Sequence, residues 1–399
     1  MRPLHAVLVA RPTPRFTERL AAALDGTGPA LLPLDAALPQ ARLAELISAF
    51  EPDAIEDSEG VVTARSASSL ARSEDTAVII GTSGSTGTPK GVELSAAALR
   101  HSARASLARV GARPAERWLC CLPVTHVAGL QVLVRSLASG TEPVLAERAD
   151  ARTVAESGCA HVSLVPTQLQ RLLAESGSPV PLAGFSSVLL GAAAAPARLL
   201  RDARDAGVRV VTTYGMTETC GGCVYDGFPL DGVRAEVRED DRIWISGPVL
   251  FSGYCGGARV PADGWFRTGD LGRVEESGRL TVRGRADDVI NTGGYMVVPG
   301  EVAAALQGCP GVRDVAVLGQ PDAEWGERVV AVVVPADSSD PPTLDLLRMH
   351  VHGLLPRYAF PSRVVMVDAV PMLPSGKHDI VRLRQELLRR EQIEAESVT

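Results

Sequence analysis

The sequence has 399 residues, of which 46% are hydrophobic and 22% are charged. At about 150 residues per domain this length predicts two or three domains, and the apolar content argues against a disordered chain. The 40 Lys and Arg against 47 Asp and Glu leave a formal net charge of −7. This balance argues against a surface for nucleic acid, so any nucleotide site must gather positive charge locally.

The N-terminal segment, the apolar runs and the cysteines indicate the cellular location of the chain. No run approaches 18 consecutive apolar residues, so no membrane span is expected. Residues 1–10 are too short in their apolar part for a signal peptide and predict a first strand. The 7 cysteines lack a framework spacing, which predicts reduced thiols and a cytoplasmic location. Cys220 and Cys223 form a lone CxxC, which we interpret as a tight loop rather than a metal site.

Further along, residues 41–47 are amphipathic, and Pro52 predicts that their helix ends near Glu51. A glycine-, serine- and threonine-rich segment then follows a predicted buried strand over Thr76–Ile80 and precedes a predicted helix over Val92–Leu107. Glycines present backbone N–H groups to a polyanion, hydroxyls add donors and a lysine adds charge. We interpret the segment as a triphosphate loop formed by Thr82, Ser83, Gly84, Ser85, Thr86, Gly87 and Lys90.

This segment differs from the common P-loop, because Thr88 and Pro89 separate Gly87 from Lys90. It resembles the phosphate loop of the adenylate-forming superfamily, which holds acyl-CoA synthetases, luciferases and peptide-synthetase adenylation domains. The resemblance implies an α/β fold with a large N-terminal domain of stacked β-sheets and helices, residues 1–285, that binds ATP and the acid. A small mobile α+β domain, residues 286–399, would carry the catalytic lysine loop and the CoA side. Only about 80 residues precede the loop, fewer than is typical of the family.

Two loops after apolar runs are candidates for ligand contact, because α/β folds place ligands at strand ends. His126 begins an element that resembles the family's His-x-x-Gly, which implies a histidine that lines the acid pocket and takes part in catalysis. The alternative is a structural histidine. Gly191 and Ala192 leave room for a flat ring, and the family lays adenine beside this loop. Close packing of a helix on a strand explains the same residues, and both alternatives stay open.

A more specific block lies at the end of a strand predicted within residues 208–219. Tyr214 can stack on a purine, and Thr217 can donate to a phosphate oxygen. Glu218 can hold Mg²⁺, because this cation prefers oxygen ligands. The block resembles the family's Tyr-Gly-x-Thr-Glu, which implies these roles and a catalytic part for Thr217 and Glu218.

The segment 263–295 predicts the ribose contacts and a domain boundary. Asp270 is expected in a turn and can accept hydrogen bonds from a diol at two oxygens. It resembles the family's ribose-binding aspartate, and Arg285 resembles the second ribose contact. Asp287 matches the hinge of the C-terminal domain, although a plain surface turn is the alternative. Gly293 and Gly294 would let a thin pantetheine arm pass close to the backbone.

The C-terminal part alternates predicted helices and strands, which indicates a small α+β domain. The helices are expected over 301–306 and 344–355, and the strands over 312–318 and 329–334. Lys377 follows a proline-glycine loop and resembles the family's adenylation lysine, with a solvated surface lysine as the alternative. The charged tail from Arg384 to Thr399 is predicted to fray.

Together these blocks imply an ATP-dependent carboxylate–CoA ligase that forms an acyl-adenylate, with Mg²⁺, ATP and coenzyme A as cofactor and co-substrates. The blocks 122–135 and 163–169 most resemble the o-succinylbenzoate–CoA ligases of menaquinone synthesis. That acid carries a second carboxylate, for which Arg135 is a candidate partner. Ser163 and Thr167 are further candidate substrate contacts, while a packing role for Arg135 stays open.

Two alternatives remain. The first is another acyl or aryl ligase, or a free-standing adenylation domain that loads a carrier protein. The second is a non-catalytic nucleotide-binding relative, against which the presence of Lys377 and Glu218 argues. The expected partners are therefore small molecules, without nucleic acid or a membrane span. The oligomeric state stays open, with a homodimer as one alternative.

Overall fold

The computed structural model describes residues 2–66, 70–83, 89–175, 180–373 and 377–397. The chain divides into two compact units. The first comprises Met1–Ala195, Arg201–Glu236 and Trp244–Arg267. The second comprises Pro196–Leu200, Val237–Ile243 and Thr268–Thr399.

The helices and strands alternate along the chain. From the N-terminus they are β1 Leu4–Val9, α1 Pro14–Asp25, β2 Ala30–Asp35, α2 Gln40–Phe50, β3 Ala54–Glu56, β4 Val62–Ala64, β5 Thr76–Ser83, β6 Pro89–Ser95, α3 Ala96–Val110, β7 Trp118–Cys120, α4 Val127–Ala138 and β8 Val144–Leu145. There follow α5 Ala151–Glu156, β9 His161–Leu164, α6 Pro166–Glu175, β10 Ser187–Leu190, α7 Ala197–Asp205, β11 Val210–Met216, β12 Gly221–Tyr225, β13 Phe228–Pro229, β14 Arg234–Val237, β15 Arg242–Ser246, β16 Gly253–Tyr254 and β17 Trp265–Val274. The remaining elements are β18 Leu280–Arg285, β19 Ile290–Thr292, β20 Tyr295–Val297, α8 Pro299–Leu306, β21 Val312–Asp322, β22 Gly326–Pro335, α9 Leu344–Val351, β23 Arg363–Met366 and α10 Ile380–Ser397.

The first sheet has seven strands in the order β16-β6-β5-β2-β1-β3-β4. β5 and β6 form an antiparallel hairpin that pairs Thr82 with Lys90. The helix predicted from Val92 onward is therefore wrong for its first four residues. Val92 and Leu94 are fully buried in the sheet, and α3 begins only after Ser95, whose side chain caps the helix by accepting the N–H of Ala98.

The second sheet also has seven strands, in the order β13-β12-β11-β10-β9-β7-β8. β9, β10 and β11 are parallel, with Leu164 opposite Leu190 and Leu190 opposite Thr212. Their carboxyl ends therefore lie side by side, which is the edge where open α/β sheets bind ligands. A further four-stranded sheet has the order β14-β15-β17-β18.

In the second unit, β19 to β23 form a five-stranded sheet around the long antiparallel pair of β21 and β22. Val302 and Leu306 of α8 and Leu347 of α9 belong to one buried cluster. Leu383 and Leu387 of α10 belong to another. The tail that was predicted to fray beyond Arg384 is helical through Ser397, and these leucines tie the part of α10 up to Leu387 to the core. The predicted fold class, a large sheet-rich N-terminal part and a small α+β part, is confirmed.

Candidate active site

The base of the predicted triphosphate loop is a β-hairpin. Thr82 Oγ1 donates to the carbonyl oxygen of Lys90 at 3.2 Å, and Ser83 pairs with Pro89 in the ladder. Gly84, Ser85, Thr86 and Gly87 lie outside the described residues. Lys90 therefore lies within the sheet at the foot of the loop, with its side chain exposed.

Tyr254 joins this lysine to the predicted magnesium ligand, and the sequence analysis missed it. The Lys90 ammonium lies 5.7 Å from the centre of the Tyr254 ring, within the range of a cation–π interaction. The Tyr254 hydroxyl donates to Glu218 Oε1 at 2.9 Å. Burial, the charge of Glu218 and this hydrogen bond raise the pKa of Tyr254, so the phenol stays protonated and remains a donor. The available signal was an aromatic residue in a glycine-bounded strand, which is too general to be diagnostic.

Thr217 and Glu218 occupy a short 3₁₀ turn, Thr217–Thr219, directly after β11. Thr219 fixes this turn, because its hydroxyl accepts the N–H of Met216 at 2.9 Å and donates to the carbonyl of Gly221 at 2.7 Å. The carbonyl of Glu218 accepts the N–H of Phe251 at 2.9 Å. Thr217 and Glu218 are half-buried, so the turn presents a hydroxyl and a carboxylate from a fixed backbone.

The oxygens of this turn fit a magnesium ion. Glu218 Oε1 accepts from Tyr254. Among the residues that the structure describes, Glu218 Oε2 has no protein donor. A carboxylate with one oriented and one available oxygen suits a hard cation, which binds one or two carboxylates plus phosphate oxygens. No group of three metal-binding side chains occurs in the described part of the chain, so most remaining ligands would be phosphate or water.

The predicted adenine loop lies at the carboxyl end of β10. Gly191 packs against β11 so closely that a Cβ there would lie 2.3 Å from Thr213 Oγ1. Ala192 has φ 68°, a left-handed conformation that is costly for a residue with a side chain. Tyr214, on the neighbouring strand, is half-buried. The packing alternative thus explains Gly191, whereas the strained Ala192 is the kind of backbone found at ligand sites.

His126 is the residue that precedes α4, and its side chain is exposed. Gly129, the glycine of the same element, has a packing reason, because a Cβ there would lie 2.3 Å from the carbonyl oxygen of Pro123. The first turn of α4 therefore rests on the loop after β7, and this contact sets the position of His126.

Arg135 and Ser163, both predicted substrate contacts, are brought together by the structure. Arg135 Nη2 donates to Ser163 Oγ at 2.8 Å, and the guanidinium carbon lies 4.3 Å from the centre of the Trp118 ring. Arg135 is only 5% exposed, and its Nε lacks a hydrogen-bond partner. No carboxylate among the described residues forms an ion pair with it. Thr167, in the first turn of α6, is exposed.

Burial lowers the pKa of Arg135, while the nearby Tyr225 and Cys120 act in the opposite direction. Arginine nevertheless keeps its proton in proteins. Desolvating a cation is expensive unless it is paired, and here its partners are a hydroxyl and an aromatic face. The charge of this buried guanidinium is therefore not neutralised by a carboxylate of the described residues.

In the second unit, the two predicted ribose contacts form an ion pair. Asp270 and Arg285 lie directly opposite each other in β17 and β18, and Arg285 Nη1 donates to Asp270 Oδ1 at 3.2 Å. The turn predicted for Asp270 is wrong, since this residue lies within β17. Thr268 Oγ1 accepts the N–H of Asp270 at 3.1 Å and donates to the carbonyl of Ile243 at 2.8 Å.

The predicted hinge lies next to this pair. Asp287 is in a 3₁₀ turn, Ala286–Asp288, and its Oδ2 lies 3.6 Å from Arg285 Nη2. Arg242 Nη2 lies 4.0 Å from Asp287 Oδ1. The Asp287 side chain is 58% exposed, so these contacts with arginine are weak and easily exchanged.

Gly293 and Gly294 form the two-residue turn between β19 and β20. Their φ values are 58° and 82°, and two positive φ values are what a type I′ hairpin turn requires. A Cβ on Gly293 would also lie 2.6 Å from Trp325 Cε3. The hairpin alone therefore explains both glycines, and their predicted role beside a pantetheine arm stays a prediction.

Lys377 is exposed at the end of its loop. Its carbonyl accepts the N–H of Leu373 at 2.8 Å, so the chain on either side of residues 374–376 is held together. Lys377 thus stands at the closed base of the loop and not at its tip, where the sequence pattern had placed it, and its role as the adenylation lysine stays a prediction.

Comparisons with known proteins agree with these features. Residues 7–255 match the AMP-binding enzyme family, and residues 301–377 match the AMP-binding enzyme C-terminal domain. The chain belongs to the AMP-binding enzyme family. The resemblance noted from the sequence is confirmed.

Several relatives carry a more specific name. A probable 2-succinylbenzoate–CoA ligase of Mycobacterium tuberculosis is 44% identical over 335 residues, covering 79% of this chain and 85% of that protein. A 2-succinylbenzoate–CoA ligase of Listeria monocytogenes is 32% identical over 330 residues, covering 77% and 70%. The o-succinylbenzoate CoA synthetase (MenE) of Bacillus subtilis, solved with the acyl-adenylate intermediate OSB-AMP, has a TM-score of 0.80 and 25% identity, covering 94% and 87%. ATP-bound MatB from Rhodopseudomonas palustris has a TM-score of 0.84 and 25% identity, covering 97% and 89%.

Proposed function

We propose that this chain is an ATP-dependent ligase that converts o-succinylbenzoate to o-succinylbenzoyl-CoA through an acyl-adenylate, in menaquinone biosynthesis. Relatives named for this reaction support the proposal. The structural observation that carries the choice of acid is Arg135, a buried cation without a carboxylate partner in the described part of the chain. The acid has one carboxylate to activate and a second one that can meet this guanidinium.

The chemistry has two steps. A carboxylate oxygen of the acid attacks the α-phosphorus of ATP, the bond to the β-phosphate oxygen breaks, and pyrophosphate leaves. The thiol sulfur of coenzyme A then attacks the acyl carbon, its proton is lost to solvent, and AMP leaves with the bridging oxygen. The intermediate is needed because a carboxylate alone is a poor electrophile.

The residues of the first unit would bind the phosphates and the acid. Lys90 and Thr217 would donate to phosphate oxygens, Thr82 would hold the base of the triphosphate loop through its hydrogen bond to the Lys90 carbonyl, and Glu218, oriented by Tyr254, would hold Mg²⁺. When bound, this cation neutralises charge on the phosphate oxygens. Tyr214 and the loop at Gly191 and Ala192 would face adenine, and His126 would line the acid pocket with Arg135, Ser163 and Thr167.

The residues of the second unit would bind the ribose and switch the enzyme from acyl-adenylate formation to thioester formation. Asp270 and Arg285 would contact the ribose diol, and Lys377 would stabilise charge that develops at the α-phosphate, where a positioned cation acts most strongly in the transition state. Rotation about Asp287 would withdraw Lys377 and bring Gly293 and Gly294 to the thiol. A hinge at Asp287 would divide the chain into domains of residues 1–285 and 286–399, whereas the main segment of the second compact unit already begins at Thr268.

The location proposed for the enzyme is the cytoplasm, where CoA and ATP are available. All seven cysteines are free thiols, which fits a reducing compartment. Among the described helices, none is long and apolar enough to cross a membrane. A homodimer is one arrangement to test by sedimentation.

Mass spectrometry of a reaction with o-succinylbenzoate, ATP, Mg²⁺ and CoA tests the proposal. We expect o-succinylbenzoyl-CoA, AMP and pyrophosphate in equal amounts. If pyrophosphate is released with a different acid and not with o-succinylbenzoate, the chain is another acyl or aryl ligase. Acyl transfer to a carrier protein but not to CoA indicates an adenylation domain. Absence of pyrophosphate with every acid, while ATP binds, indicates a non-catalytic relative.

A further inference from the structure

The loop that carries Lys377 is closed at its base by backbone contacts. Met372 and His378 form an isolated antiparallel bridge. On either side of that bridge, Leu373 N–H donates to the Lys377 carbonyl at 2.8 Å and Asp379 N–H donates to the Pro371 carbonyl at 2.7 Å. The backbone of Lys377 therefore moves with that of His378.

One side chain attaches this base to the sheet of the second unit. His378 Nε2 lies 3.1 Å from Asp314 Oδ2. Asp314 is in β21, where its backbone pairs with Val334, and its Oδ1 accepts the N–H of Val315 at 2.8 Å. The Asp314 carboxylate, which contacts His378, is thus itself fixed on a strand of the sheet.

The electrostatics of the pair agree with this geometry. Burial acts to raise the pKa of Asp314, but the hydrogen bond and charge of His378 and the hydrogen bond from the Val315 N–H act against it, and the pKa lies below its usual value. The neighbouring Arg313 acts in the same direction. The side chains of His378 and Asp314 are 29% and 37% exposed, and an ion pair at such exposure adds little to global stability. Its main effect is therefore local, on the loop.

We propose that His378 and Asp314 are positioning residues, which hold the loop so that the adjacent Lys377 is placed for acyl-adenylate formation. The inference rests on the proposed role of Lys377. The long, flexible side chain of lysine can extend far from the backbone, but it loses conformational entropy when it is ordered. A backbone fixed on both sides of the loop reduces the remaining freedom. The positioning concerns the adenylation step alone, because Lys377 is expected to act only there.

The test compares the two half-reactions in His378→Ala, Asp314→Ala and the double variant. Single-turnover pyrophosphate release from ATP and o-succinylbenzoate measures adenylation, and thioester formation from supplied o-succinylbenzoyl-adenylate measures transfer to CoA. We expect each single variant to adenylate about 3- to 10-fold more slowly, with the double variant no slower than the worse single one, as contacting residues couple non-additively. Transfer should stay within about twofold.

Two further variants separate positioning from stability. His378→Gln keeps an N–H donor for Asp314 and should recover most of the adenylation rate. Glu386→Gln removes an ion pair with Arg382 of 2.8 Å on α10 and should change neither half-reaction. If His378→Ala does not fold, the adenylation and transfer rates of His378→Gln and Asp314→Asn are compared instead. A slower adenylation with unchanged transfer in Asp314→Asn supports positioning, and equal rates in both variants overturn it.

The outcomes distinguish this inference from the proposed function. Normal adenylation by the wild type and by all His378 and Asp314 variants overturns the inference alone. Equal losses in both half-reactions also overturn it, because they indicate a general structural role. A folded wild type that forms no adenylate overturns the proposed function, and the inference with it.

Discussion

The hydroxyl of Tyr254 donates a 2.9 Å hydrogen bond to the carboxylate of Glu218. The same ring lies under the ammonium of Lys90, so one side chain touches both the foot of the triphosphate loop and the proposed metal ligand. These groups come from three separate parts of the sequence. If Lys90 binds phosphate and Glu218 binds Mg²⁺ as proposed, Tyr254 would couple the placement of the two ligands.

Removing the Tyr254 hydroxyl should weaken the metal site. A hydrogen bond to a charged group contributes about 1.5–3 kcal/mol, so Tyr254→Phe should raise the half-saturating Mg²⁺ concentration for adenylation by about 10- to 150-fold. Magnesium titration of pyrophosphate release measures it. Tyr358→Phe is the control, because it removes a phenol hydroxyl in the second unit, where that ring stacks on Tyr295. Identical shifts in the two variants would count against a role for the Tyr254 hydroxyl.

Lys377→Ala should abolish most adenylation and spare transfer from a supplied acyl-adenylate. The lysine charge acts mainly in the transition state, so its loss should cost about 3–4 kcal/mol, as for an oxyanion-hole donor. Separate rapid-quench measurements of the two half-reactions check this. A similar loss in both would show that Lys377 is not specific to adenylation.

Asp287→Pro should produce the reverse pattern. Proline holds φ near −65°, which prevents the backbone rotation expected of a hinge, so adenylate should form and stay bound while transfer to CoA falls. Asp287→Asn is the control, since it changes the charge beside Arg285 but leaves φ free. Single-turnover assays would contradict the hinge if Asp287→Pro slowed adenylation as much as transfer.

Arg135→Ala should raise the KM for o-succinylbenzoate and leave the KM for ATP nearly unchanged. Loss of a charged hydrogen bond to the second carboxylate corresponds to about 1.5–3 kcal/mol. Arg135→Met keeps an apolar stem against Trp118 and controls for packing. The decisive comparison uses a neutral analogue that lacks the second carboxylate. Equal weakening for both acids would indicate a packing arginine.

His161 should make the stability of the first unit depend on pH. Its ring is buried, with Nδ1 2.8 Å from Ser187 Oγ and Nε2 3.1 Å from Glu116 Oε2. Burial lowers the pKa of His161, so the folded state resists protonation that the unfolded state accepts. The resulting stability is present above the unfolded pKa of about 6.5 and is lost as the pH falls below it.

We therefore expect the melting temperature of the wild type to fall between pH 7.5 and pH 5, and the slope to be smaller in His161→Gln. His350→Gln, in the second unit, should retain the wild-type slope. Differential scanning fluorimetry across this range measures both. An unchanged slope in His161→Gln would assign the pH dependence to other groups.

Much of the fold was predictable because local patterns agreed with tertiary structure. The amphipathic run at 41–47 lies in α2 and stops before Pro52. The alternation after Tyr295 gave the small α+β part correctly, although α9 ends at Val351. Errors arose where the local signal was ambiguous. Val92 and Leu94 lie in an alanine- and leucine-rich run, and only their pairing with Ile80 and Val78 of β5 makes them β.

The site was predictable as separate blocks but not as an arrangement. The sequence motifs indicated Glu218, Arg285 and Lys377, whereas Tyr254, Asp314 and His378 emerged only from contacts between distant segments. For Gly293 and Gly294 the motif is ambiguous, because a type I′ turn and a contact with the pantetheine arm both require glycine at these positions. The spacing of motifs along the sequence does not predict which carboxylate accepts a hydrogen bond from which donor.

The hairpin of β5 and β6 has a thermodynamic consequence for nucleotide affinity. Ser83 and Pro89 face each other in the ladder, so the intervening residues have both ends joined by the sheet. The entropy of closing that loop is lost when the chain folds, so ATP would not have to supply it if the loop binds the phosphates as proposed. Preorganisation of this kind strengthens binding. Substitutions in the buried strand, such as at Ile79, should therefore weaken ATP binding without touching the ligand.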